Sequence, residues 1–93
     1  MIMAIFAIVA LEGFPNTKLP GVIESQYPEK FHKISDGHWL IVDGGTAQTV
    51  SQKLGLLGED PSIAIVYNVA GYFGRAPHPV WEWLKANGGA VGG

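Results

Sequence analysis

His32-Lys-Ile-Ser-Asp-Gly-His-Trp-Leu-Ile-Val-Asp43, followed at once by Gly-Gly-Thr46, is a strand signal running into a helix start. Trp39 to Val42 make an unbroken apolar run, as a strand buried on both faces requires. Asp43-Gly-Gly45 breaks that run. Thr46 is a good N-cap, because its hydroxyl can accept a bond from an otherwise unpaired first-turn N–H. Ala47, Val50, Leu54 and Leu57 then recur at helical spacing and predict one apolar stripe on a helix over 47–57. Gly55 and Gly58 offer its C-terminal stops. One stretch thus carries half of a repeating β-α unit.

Upstream, residues 31–34 read as a short strand turned by Ser35-Asp-Gly37, or as the first part of one longer strand bent there. A helix over 19–26 puts Leu19, Val22 and Ile23 on one face. Pro20 suits its first turn, Gly21 weakens it and Pro28 ends it. Residues 2–11 form a continuous apolar run, the pattern of a central strand. That run lacks the positively charged start of a signal peptide and is too short to span a bilayer. Downstream, residues 63–69 are a third apolar, β-branched run, with Tyr72 and Phe73 as a candidate continuation past Gly71. Pro79 opens a last helix over 80–86, with Val80, Trp81 and Leu84 sharing a face.

The order β, α, β, α, β, α predicts an α+β protein: a ferredoxin-like α/β sandwich, a small sheet with helices packed on one face. Three strands are strongly signalled. The fourth is expected from residues 31–34, from a bend after Gly71, or from a partner subunit. A single domain over 1–88 and a flexible tail over 89–93 account for the chain.

Of 93 residues, 47% are hydrophobic and only 15% charged. That excludes a disordered chain and leaves too few charges to cover the surface, which points to a homodimer. Six Lys and Arg against eight Asp and Glu give a net charge of −2, which disfavours a broad nucleic-acid footprint. With no cysteine, thiolate metal sites and cysteine nucleophiles are excluded. The lack of disulfides is compatible with a cytoplasmic protein.

Ser35-Asp-Gly-His-Trp-Leu-Ile-Val-Asp43, the helix from Thr46, the strand over 63–69 and the ending Gly71-Tyr-Phe-Gly74 … Trp81-Glu-Trp-Leu-Lys85 together resemble the SinR-family small proteins. These in turn resemble the small ferredoxin-like subunit of the CRISPR-associated proteins. The resemblance covers about two-thirds of the chain, in order and spacing. It implies a ferredoxin-like homodimer associated with defence or toxin–antitoxin biology. The CRISPR-associated family carries an aspartate at the end of its first strand. This chain has Ala10-Leu-Glu12 there, so no catalytic residue is carried over, and Glu12 is the nearest carboxylate.

Several constellations bear on chemistry. His32 and His38 flank Asp36, but on one straight strand they would lie roughly 20 Å apart, and only a tight hairpin would bring them close enough to share a metal ion; half-buried or surface histidines are the expected reading. Asp43-Gly-Gly-Thr46 lacks the lysine of a phosphate-binding loop, and helix capping explains its residues. Tyr72, Phe73 and Arg75, with Lys85 nearby, are candidates for a protein interface or for stacking on bases. Trp81 and Trp83 stand two apart on one helix and cannot share a face; Trp83 is the interface candidate. No serine lies in a nucleophile elbow.

The expectation is therefore a small non-enzymatic interaction module, homodimeric, with no cofactor, no metal and no membrane span. The alternative is a metal-dependent endonuclease or nucleic-acid-binding protein of the CRISPR-associated type, using Glu12, Arg75 and Lys85.

Overall fold

The computed structural model describes residues 3–11, 13, 18–58, 63–71, 75 and 77–87. The elements run β1 (Ala4–Ala10), α1 (Leu19–Gln26), β2 (Phe31–Ser35), β3 (His38–Asp43), α2 (Ala47–Lys53), β4 (Ala64–Val69) and α3 (His78–Asn87). The four strands form one sheet in the order β2-β3-β1-β4, with every neighbouring pair antiparallel. Each crossover, β1-α1-β2 and β3-α2-β4, skips over one strand. This is the ferredoxin-like arrangement.

The fourth strand is β2. Ser35 pairs with His38 across a turn at Asp36-Gly37, so residues 31–43 fold as a hairpin rather than as one bent strand. The candidate strand continuation at Tyr72 and Phe73, the carboxylate of Glu12 and the tail over 89–93 lie outside the described residues.

β1 and β3 sit at the centre, which is why their sequences are apolar without alternation. On the first face Phe6, Ile8, Trp39 and Ile41 pack against Leu19 and Ile23 of α1 and Val50 of α2, with Leu54 just beyond it. Full burial of each such side chain contributes about 1.5–3 kcal/mol, and Phe6, Ile8, Leu19, Ile23, Ile41 and Val50 are all fully buried. On the second face Ile5, Leu40 and Val42 pack against Val80 and Leu84 of α3. The two crossover helices share one face, as expected of the sandwich. The third departs from the expected one-face packing and lies across the sheet from them, because Ile5, Leu40 and Val42 leave an apolar second face that Val80 and Leu84 cover.

α2 is shorter than its apolar stripe suggests. It ends at Lys53 with Leu54 as C-cap, and Gly55 follows at φ +75°, a left-handed conformation that favours glycine and stops the helix. Val50 and Leu54 are buried as the stripe requires, but Leu57 falls beyond the stop and is 62% exposed.

Candidate interaction surface

α3 covers only part of the second sheet face. Val80 and Leu84 cap the region of Ile5, Leu40 and Val42, and Ala7, Ile34 and Val69 pack around them. Trp81 and Trp83 both lie half-buried against this cluster, one on each side of the Val80–Leu84 ridge. Trp83 meets His32 of β2, with ring centroids 6.1 Å apart and planes tilted by 31°. Trp83 thus anchors α3 to the sheet.

Among the described residues no helix covers the rest of that face. Side chains alternate between faces along a strand. Ala7, which packs with α3, is opposite Tyr67, and Val9 is opposite Ile65, so Tyr67 and Ile65 belong to the same face. Tyr67 is 52% exposed, Ile65 43%, Leu11 37% and Ile63 36%. His38 sits beside Val9 on the neighbouring strand. Four large apolar side chains therefore share one uncovered patch at the C-terminal end of β1 and along β4. Isolated exposed apolar residues are ordinary; a contiguous set marks a contact surface.

A second cluster lies at the opposite end of the sheet, around Asp43. This aspartate closes β3 and is buried. Its Oδ2 accepts from the Tyr27 hydroxyl at 2.8 Å and from Lys53 Nζ at 2.8 Å, and its Oδ1 accepts from the Gly45 N–H at 2.6 Å. Burial alone would raise the carboxyl pKa, but the Lys53, Tyr27 and Gly45 donors outweigh it and hold Asp43 below the usual carboxylate range. Burial, and then the Asp43 carboxylate, push the Tyr27 phenol well above its ordinary value. Lys53 also lies 5.9 Å from the centroid of the Tyr27 ring.

The loop at this end is set by its own chemistry. Thr46 Oγ1 accepts from the Thr49 N–H at 3.2 Å and Thr49 Oγ1 accepts from the Thr46 N–H at 2.8 Å, a reciprocal capping box with threonine in both places. Gly45 is needed here because a Cβ would overlap Thr49 Oγ1. Beside the cluster is an open depression of about 540 Å³, lined in part by Met3, Gln26, Thr49 and Lys53. The carboxylate is already held by three protein donors. The arrangement fastens α1 and α2 to the end of β3, with the Asp43 carboxylate occupied by protein donors.

Of the residues singled out from the sequence, Trp83 is half-buried as described, while Lys85 and Arg75 are exposed. Tyr72, Phe73 and Glu12 lie outside the described residues. His32 meets the Trp83 ring at a tilt, Asp36 pairs with Lys33 at 3.0 Å, and His78 pairs with Glu82 at 2.8 Å. Among the described residues no three His, Asp or Glu side chains converge as metal ligands, and no helix is long and apolar enough to cross a membrane. The sequence does not mark the exposed residues of β4, because an apolar run alone does not say whether a strand is central or at an edge. Compared with known proteins, the chain matches no family model, no curated protein and no solved structure.

Proposed function

We propose that this protein is a non-enzymatic interaction module that works as a homodimer, with its contact surface at β4 and the open half of the second sheet face beside it. The observation that carries this reading is the shared exposure of Leu11, Ile63, Ile65 and Tyr67 beside a helix that covers only the other half of the same face. Tyrosine is a common anchor of such surfaces, and charge is depleted at their centres. The low content of charged residues supports the same conclusion, since a small body with 15% charge has little else with which to hide apolar area.

The test is the mass in solution. Sedimentation equilibrium at micromolar concentrations is expected to give twice the 9.9 kDa of one chain. A species that stays monomeric to high concentration removes the homodimer.

A further inference from the structure

The sheet has two edges, β2 and β4, and the sequence treats them differently. β2 carries Lys33, which pairs with Asp36, and its register with β3 shifts between Lys33 and Ser35. A lysine and an irregularity are both devices that discourage another strand from adding to an edge. β4, Ala-Ile-Val-Tyr-Asn-Val, has neither. It holds no charge and no proline, and its register with β1 is continuous over all six residues.

The ladder shows which backbone groups β4 has to spare. The Leu11 N–H donates to the Ile63 carbonyl at 3.1 Å, and these two residues extend the register Val9↔Ile65 and Ala7↔Tyr67. Bonded and non-bonded pairs alternate along an antiparallel ladder. Ile65, Tyr67 and Val69 therefore turn their backbone groups toward β1, and Ala64, Val66 and Asn68 turn theirs outward. The other side of β1 agrees: the Ala10 N–H donates to Gly37 at 2.8 Å, so the even-numbered residues of β1 serve β3 and the odd-numbered ones serve β4. Among the described residues no strand lies along the outer side of β4.

The geometry points to a second copy of this chain as the strand that fills that edge. Two β4 strands pair antiparallel about a twofold axis at Val66 and join two four-stranded sheets into one. The proposal rests on the homodimer reading and places the contact at the β4 edge, where the open-face side chains Ile65 and Tyr67 meet those of the partner across the twofold axis. The register follows from the strand itself. Centred on Val66, Ala64 faces the partner subunit's Asn68, and every outward residue of both strands finds a bonded partner. A symmetric register centred one residue to either side leaves Ala64 or Asn68 opposite a position outside the strand. On the open face the same register sets Ile65 against the partner subunit's Tyr67 in the non-bonded positions, where Cα atoms approach to about 4.5 Å. A β-branched residue opposite an aromatic one is a favourable cross-strand pair. Because β4 is uncharged, its copy meets it without like-charge repulsion.

The chain has no cysteine, so an introduced pair reports position cleanly. Ile65→Cys and Tyr67→Cys are prepared separately, mixed and mildly oxidised. A disulfide is expected in the mixture well in excess of either variant alone, because only the mixture places two cysteines opposite each other within disulfide reach. Asn68→Pro is the second variant, measured by sedimentation and circular dichroism. Its N–H points away from β1, so proline leaves the monomer's own ladder intact and blocks the added strand; a folded monomer is expected. A wild-type monomer overturns both the homodimer and this register. A wild-type dimer that persists in folded Asn68→Pro, with no excess cross-link in the mixture, overturns the edge pairing and leaves the homodimer standing on its open face. Should a cysteine substitution itself disperse the dimer, the mass of Asn68→Pro decides.

Discussion

The hydroxyl of Tyr27 donates to Asp43 Oδ2 at 2.8 Å, tying the residue that ends α1 to the residue that ends β3 across sixteen positions of sequence. Lys53, at the end of α2, donates to the same oxygen. One buried carboxylate therefore holds the C-terminal ends of both crossover helices against the sheet. Hydrogen bonds to a charged group are worth about 1.5–3 kcal/mol each. Tyr27→Phe is expected to lower the unfolding free energy by about that amount in urea titration, with no change of fold. Lys53→Met is expected to cost less, because the lysine is half exposed and its charge is screened.

The same carboxylate sets an acid limit. Asp43 titrates near 3.9 in an unfolded chain, about the ordinary aspartate value, and lower in the folded protein. Its contribution is present in full above the unfolded value and is lost as pH falls through the folded one. Urea midpoints measured from about pH 7 down to about pH 3 should fall in wild type. Asp43→Asn should be less stable at neutral pH and show a flatter acid limb; an equally steep limb would assign the acid sensitivity elsewhere. Tyr27 acts at the other end. Its raised value means a contribution complete below about 10 and lost as pH climbs through the folded value.

Gly45→Ala should break the loop between β3 and α2. Its new methyl group would overlap Thr49 Oγ1, whose bonds to the Thr46 N–H and carbonyl would have to open. Loss of the reciprocal cap costs about 1 kcal/mol, and the steric conflict adds to it. Thr46→Ala, which removes the cap without the conflict, is the comparison. Thermal unfolding should rank Gly45→Ala below Thr46→Ala and both below wild type.

Leu84→Ala should cost about 2–5 kcal/mol, as expected for a buried leucine. Trp83→Ala should additionally free His32, whose ring contact is one tie between α3 and β2, beside Ile34. Hydrogen exchange would check this. Faster exchange confined to α3 is the expected outcome of Trp83→Ala, with the first-face helices unaffected.

Tyr67→Lys tests the open face. The side chain is more than half exposed, so the substitution should change monomer stability by no more than about 0.5 kcal/mol. It should nonetheless shift sedimentation toward the monomer, because it sets a charge at the centre of the contact.

The stretch 38–54 carried most of the fold legibly. Trp39 to Val42 read as a strand buried on both faces and proved to be one, and the cap at Thr46 stands where its side chain chemistry placed it. α1 kept its expected bounds because Pro20 and Pro28 mark them locally. What stayed hidden depends on contacts remote in sequence. Neither Tyr27 nor Lys53 sits at a spacing that points to Asp43, since the three meet only when both helices dock on the sheet. The side chosen by α3 was equally hidden, because its apolar ridge fits either face and only the strand alternation of β1 and β3 leaves a second face to fill. Leu57 continued the stripe by count but not by structure, since Gly55 ended the helix first.

The strand order has one more consequence. Of the four described strands β1 comes earliest in the sequence, and it sits between β3 and β4, the latter the last of the four to be made. Until residue 69 has emerged, a nearly uninterrupted apolar strand has one side unpaired. Non-local closure of this kind slows folding and lengthens exposure to neighbouring chains. For this protein the hazardous interval belongs to synthesis, and it closes only when β4 arrives to cover the side of β1 left open since the start.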